Sequence, residues 1–175
     1  MATNRRSGSV GTEKDRLQPA LLDRLTDQEP SKRTEKVDSV YVTETRLRTA
    51  LLRDLAWLLN ANDATSHIDF DGLAEAERSV INYGMTPLAG QLLSELDWKD
   101  VELSIRRSIL TFETRILPET LVVALAETAD SLNHHNTLQF EIRCQFWSMP
   151  YPLELLLKTS LDLETGQVVV TDLRN

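Results

Sequence analysis

Asp97-Trp98-Lys99-Asp100-Val101-Glu102-Leu103-Ser104-Ile105-Arg106-Arg107-Ser108-Ile109-Leu110-Thr111-Phe112, running on into Glu113-Thr114-Arg115-Ile116, is the stretch from which the fold can be read. Trp98, Val101, Ile105, Ile109 and Phe112 recur at three- and four-residue steps, the spacing that gathers side chains into one helical stripe. Asp97 reads as the N-cap, and Asp100 adds negative charge to the first turn, near the positive end of the helix dipole. Lys99, Glu102, Arg106 and Arg107 fall off the stripe and make the wet face. After Phe112 the period changes: Pro118 cannot continue a helix, and Leu121, Val123 and Leu125 alternate as a strand does. A core helix therefore ends in a charged corner and feeds a sheet.

Toward the C-terminus, alternating apolar runs follow at Leu121 to Ala126, Leu138 to Trp147, Leu153 to Leu161 and Gln167 to Thr171. In the second of these, Leu138, Phe140, Ile142, Cys144 and Phe146 share one face. Gln139, Glu141, Arg143 and Gln145 share the other. Cys144 is thus aimed into the core. Leu153, Leu155, Leu157 and Leu161 repeat the pattern, and Thr165-Gly166 turns the chain into Val168 and Val170 as a hairpin.

Toward the N-terminus, Thr43 caps a long helix from Glu44 to about Asn60. Leu47, Leu51, Leu55 and Leu58 form its stripe, widened by Leu52 and Leu59, with Trp57 to one side and Glu44–Arg48 as an i,i+4 pair. Asn60-Ala61-Asn62-Asp63 ends it, and Ala64 to Asp71 is a polar connection. Ala74 to Asn82 reads equally as a short helix or as an irregular segment. Tyr83-Gly84-Met85-Thr86-Pro87 is a turn, with Gly84 free to take positive φ. Residues 1–16 carry Gly, Ser, Thr and charges with little to bury, the composition of a disordered arm. Residues 17–38 hold a short helix and a linker. Leu17, Leu21, Leu22 and Leu25 make a small stripe there, with Pro19 suited to the first turn and Pro30 in the linker. So short a helix needs something to dock on, either its own domain or a partner subunit. Residues 39–175 then form one α+β domain, helices packed on one face of a small antiparallel meander.

Composition excludes several function classes. The 175 residues carry a net charge of −8, which argues against non-specific binding to nucleic acid or an anionic membrane, since both demand a positive field. Cys144, the single cysteine, has no internal disulfide partner. No apolar run approaches the roughly 18 residues of a spanning helix, and the first residues lack the apolar core of a signal peptide. The default is a cytoplasmic protein without direct membrane insertion.

Catalysis needs convergent groups, and few are offered. His134 and His135, inside Asn133-His134-His135-Asn136, read as a hairpin loop. Adjacent histidines point apart, and no carboxylate or cysteine stands at ligand spacing, so neither a metal nor another cofactor is expected. A phosphate-cradling glycine loop and a Gly-x-Ser-x-Gly elbow are both missing from the sequence. Cys144 lies mid-strand on an apolar face, where a thiolate is disfavoured. The carboxylates are numerous enough for glycoside hydrolysis on count, but Glu95, Asp97, Asp100 and Glu102 read as solvated helix charge. Glu113 and Arg115 stand apart because they lie at the helix end. Two readings hold for them: a local ion pair or cap, or a guanidinium fork offered to a partner carboxylate or carbonyl and oriented by Glu113.

Leu21-Leu22-Asp23-Arg24-Leu25-Thr26-Asp27-Gln28-Glu29-Pro30, Ser79-Val80-Ile81-Asn82-Tyr83-Gly84, Ile109-Leu110-Thr111-Phe112-Glu113-Thr114-Arg115-Ile116 and Tyr151-Pro152-Leu153-Glu154-Leu155-Leu156-Leu157-Lys158-Thr159 follow in that order. Together they resemble the TssE baseplate subunits of type VI secretion systems, which belong to the wedge-protein family of contractile-tail phages. The likeness covers nearly everything from about Leu17 onward. Where that family's corner reads Glu-Pro-Arg, Thr114 replaces the proline, so the rigidity of the corner is in question. The resemblance implies a non-enzymatic baseplate component that nucleates sheath polymerisation at the cytoplasmic side of the inner membrane. Its implied partners are TssF and TssG, with TssK outside, and the sheath subunits TssB and TssC by strand addition. Glu113 and Arg115 match the family's functional pair. Leu21, Leu22 and Leu25 would meet a partner, and the final strand, Val168 to Val170, or its hairpin partner would supply the open edge. On that reading Arg115→Ala leaves the fold intact and abolishes assembly. The alternative is a peptidoglycan hydrolase, because wedge proteins have been labelled "lysozyme-like"; no residue pattern here supports it.

Overall fold

Asp97 and Thr43 cap helices as their chemistry dictates. In the computed structural model, which describes residues 19–26, 30–31, 42–90, 96–126 and 137–174, the Asp97 carboxylate accepts from the Lys99 N–H at 2.9 Å. The Thr43 hydroxyl accepts from the Arg46 N–H at 3.3 Å. The elements are α1 (Leu21–Leu25), α2 (Glu44–Asn60), α3 (Ala74–Glu77), a 3₁₀ turn (Val80–Asn82), α4 (Trp98–Phe112) and a second 3₁₀ turn (Pro118–Thr120). Strands β1 (Val122–Leu125), β2 (Thr137–Phe146), β3 (Leu153–Asp162) and β4 (Val168–Asp172) follow. The arm expected over residues 1–16 and the His134–His135 loop lie outside the described residues.

The sheet is an antiparallel meander in the order β1-β2-β3-β4. Helices α2 and α4 pack against each other and against β4 and β1 respectively, so the fold is α+β. Leu138, Phe140, Ile142, Cys144 and Phe146 of β2 are buried, as period-2 alternation requires. In β3 the gap between Leu157 and Leu161 is filled by Thr159, buried with its hydroxyl donating to the Phe140 carbonyl at 3.2 Å. From α2 come Leu47, Leu51, Leu55, Leu58 and Leu59; from α4 come Val101, Ile105 and Ile109.

Several local expectations are corrected. Arg48 does not turn to Glu44. Its Nε donates to Asp172 Oδ2 at 2.5 Å, and its outer nitrogens reach the Glu154 carbonyl at 3.3 Å. The Asp172 side chain is only 4% exposed, and a sheltered charge-assisted bond outweighs an exposed pair on one helix face. Pro19 lies ahead of α1 rather than in its first turn, because Ala20 is the N-cap residue. The undecided stretch Ala74 to Asn82 is both things, a single α-turn and then a 3₁₀ turn. Asn82 holds it, its amide accepting from the Ala64 N–H at 2.9 Å and donating to the Glu77 carbonyl at 3.0 Å. Gly84 has φ 135°, and a Cβ there would lie 2.7 Å from the Ala61 carbonyl carbon. The end of α2 and the segment entering α4 thus pass backbone to backbone, with the Met85 N–H on the Ala61 carbonyl at 2.9 Å.

Candidate functional site: the corner and the sheet edges

At the end of α4, Glu113 leaves helical geometry at φ −108°, ψ 84° and is 7% exposed. Its carboxylate accepts from Arg115 Nε at 2.7 Å, from Nη2 at 2.5 Å and from the Arg115 main-chain N–H at 3.1 Å. Arg115 Nη2 also donates to Asp54 Oδ2 of α2 at 2.6 Å. Asp54 Oδ1 in turn accepts from Arg53 Nε at 2.9 Å and Nη2 at 2.8 Å, and Arg53 Nη1 reaches Asp23 Oδ1 of α1 at 2.5 Å. Charges alternate along Glu113, Arg115, Asp54, Arg53 and Asp23, so every like-charged pair is separated by a group of opposite sign. Burial opposes the Arg115 charge, but the hydrogen bonds and charge of Glu113, and then of Asp54, outweigh it and raise the guanidinium pKa. The Arg53 pKa is raised too, chiefly by the Asp23 hydrogen bond, and its guanidinium lies 5.0 Å from the Trp57 ring centre.

The corner backbone is stitched to the end of β2. The Arg115 carbonyl accepts from the Trp147 N–H at 2.7 Å, and the Leu117 N–H donates to the Gln145 carbonyl at 2.9 Å. Ile116 and Phe146 bridge between them. Main-chain pairing therefore fixes a turn that has Thr114 in place of a proline.

A hollow of about 440 Å³ opens beside the network, lined by Ala20, Asp54, Tyr83, Phe112, Glu113 and Arg115 among others. Tyr83 meets Phe112 edge to face, ring centres 5.2 Å apart. Burial, then the charges of Asp54 and Glu113, raise the Tyr83 hydroxyl pKa, which keeps it a neutral donor. Cys144 lies below, its thiol pushed up to about 11 by burial and by the Glu113 charge. These groups can recognise and orient a neighbouring side chain. The Glu113 carboxylate is already engaged by Arg115 and does not stand as a free acid.

Of the expected site residues, Glu113 and Arg115 are together, and the local ion pair is the arrangement the structure contains. Leu21, Leu22 and Leu25 are 68%, 46% and 74% exposed, so the leucine stripe of α1 is not spent on this domain. Val168 and Val170 lie on an edge strand, whereas the hairpin partner β3 has β2 on one side and β4 on the other and offers no edge. Asp54, Arg53 and Tyr83 were not legible as members of the corner. An Arg-Asp dipeptide on a helix reads as solvated surface until the fold brings Arg115 to it. Among the described residues, no group of three His, Cys, Asp or Glu is placed to hold a metal ion, and no helix is long and apolar enough to cross a membrane.

Comparison with known families matches residues 45–151 to the model described as baseplate wedge protein gp25. The matched span runs from the first turn of α2 through the corner to the turn between β2 and β3. No curated protein and no solved structure matches the chain.

Proposed function

Because the chain belongs to the baseplate wedge protein family, we propose that it is a structural joint of a type VI secretion baseplate. In this reading it assembles with subunits of the TssF, TssG and TssK kinds and gives the first ring of TssB–TssC sheath a template. The family match, which spans the corner, carries the reading. A non-enzymatic role agrees with a corner whose buried carboxylate is spent on a guanidinium. Glu113, Arg115 and the adjoining hollow would seat a partner segment, Leu21, Leu22 and Leu25 would meet a partner, and the sheet edge would take an added strand.

The corner's test must allow for the buried pair. Arg115→Ala strands the Glu113 carboxylate with its main partner gone, and breaking a buried pair from one side costs about 3 kcal/mol. The expectation that this single variant leaves the fold intact is therefore checked first by its melting temperature. The decisive variant is Glu113→Gln combined with Arg115→Met, which removes both charges at similar volume. It is expected to melt within a few degrees of the wild type and to lose co-purification with the wedge subunits and sheath formation in cells. A folded double variant that still builds normal sheaths removes the corner from the interface.

A further inference from the structure

A guanidinium has five N–H donors, and Arg115 spends three of them inside the molecule. Nε and one N–H of Nη2 go to the two oxygens of Glu113, at 2.7 and 2.5 Å, as a side-on fork. The other N–H of Nη2 goes to Asp54 Oδ2 at 2.6 Å. Asp54 thereby closes half of the end-on fork, the Nη1–Nη2 pair with which a free guanidinium grips a carboxylate. The N–H groups of Nη1 have no acceptor among the described residues, and Arg115 lines the hollow.

The charge balance there also disfavours an incoming carboxylate. Along the network, the three carboxylates of Glu113, Asp54 and Asp23 face the two guanidiniums of Arg115 and Arg53, an excess of one negative charge. In a sheltered place like charges repel more strongly than in water. Tyr83, on the same hollow, carries a neutral hydroxyl with no hydrogen bond among the described residues. Leu47, Leu58 and Phe112 complete a wall around about 440 Å³, room for an apolar side chain. Asp54 is itself held: its Oδ1 accepts from Arg53 Nε at 2.9 Å and Nη2 at 2.8 Å, so its plane cannot turn without breaking bonds on both sides.

We propose that Asp54 is the positioning residue of the corner. By taking Nη2 it leaves Nη1 to a neutral main-chain carbonyl of the partner, whose neighbouring apolar side chain enters the hollow, and it shuts carboxylates out. This rests on the assembly reading above and names the group that the corner takes. Of the two acceptors open to the Arg115 fork on sequence, carboxylate and carbonyl, the geometry selects the carbonyl.

Two small ligands that differ only at one end test this. N-acetylleucine methylamide ends in a neutral amide, and N-acetylleucine ends in a carboxylate. In the isolated full chain, the Arg115 guanidinium N–H signals in NMR spectra should move with the amide and stay still with the acid at equal ionic strength. In Asp54→Ala they should move with the acid as well, because the end-on fork opens and one negative charge has gone. The fold of this variant should hold, since Arg115 keeps Glu113 and Arg53 keeps Asp23, and its melting temperature checks that. Glu141→Gln, which removes a charge paired with Arg143 on the sheet face away from the helices, should behave as the wild type. A wild type that takes the acid as readily as the amide, or takes neither, overturns the proposal. So does an Asp54→Ala chain that still refuses the acid. Should Asp54→Ala melt well below the wild type, Asp54→Asn, similar in volume and uncharged, takes its place with the same two outcomes. With the wedge subunits as the probe, Asp54→Ala is expected to weaken capture about tenfold. Undiminished capture by the folded variant overturns the positioning role. A wild type that captures no wedge subunit refutes the assembly reading, and the ligand pair still decides on Asp54.

Discussion

A proline after Glu113 would push that residue out of the helical region toward extended backbone. Glu113 is already there, at φ −108°, ψ 84°. Thr114 has a negative φ, since no non-glycine residue described has a positive one, and its N–H makes no main-chain hydrogen bond among the described residues. A ring at position 114 therefore forfeits no bond and restricts the unfolded chain. Thr114→Pro is expected to stabilise by about 0.5–1 kcal/mol, seen as a higher urea midpoint at unchanged slope. A lower midpoint would mean that the corner needs a backbone angle the ring forbids. The rigidity of this turn thus comes from Arg115 and Leu117 pairing with Trp147 and Gln145, and proline would add to it rather than create it.

Between elements, the bond from Arg48 to Asp172 ties the start of α2 to the end of β4. The Arg48 hydrogen bond, helped by the Arg174 N–H and opposed by burial, holds the Asp172 pKa below the ordinary carboxylate range. A depressed pKa means the ionised form is favoured by folding. Its stabilisation is full above the unfolded value, about 3.9, and is lost as pH falls through the lower folded value. Asp172→Asn should therefore melt below the wild type at pH 7, with the two curves converging as pH drops toward 3. Curves that diverge instead would show that this tie does not favour the charge. The helices and strands were legible because periods of 3.6 and 2 are local: the Leu47–Leu58 stripe, the Leu138–Phe146 alternation and the caps Thr43 and Asp97 all lie within a few residues of what they specify. The tie was not. Arg48 meets Asp172 across 124 residues, Asn60 meets Val168 across 108 and Arg115 meets Asp54 across 61. At such separations no periodicity says which of two carboxylates a guanidinium will choose.

Across the whole molecule, α1 stands out because none of its residues is buried and it lies outside the span matched to the wedge family. Five residues of helix are marginal in water, and among the described residues the ion pair that ties them to the body is Asp23–Arg53, with side chains 28% and 31% exposed. A pair so exposed is screened by salt, whereas leucines buried on a partner would not be. In the isolated chain, raising ionic strength to about 1 M, where the Debye length is roughly 3 Å, should speed amide exchange at Arg24 and Thr26. Those amides close α1 on the Ala20 and Leu22 carbonyls at 3.1 and 3.0 Å. Asp23→Asn should reproduce the effect at low salt, and amides in the middle of α2 should stay slow in both cases. Once wedge subunits cover Leu21, Leu22 and Leu25, the salt sensitivity should disappear because apolar burial replaces the ion pair as the anchor. If the α1 amides instead ignore salt and the Asp23 substitution in the free chain, the leucine stripe is already buried at home, and partner docking through it is excluded.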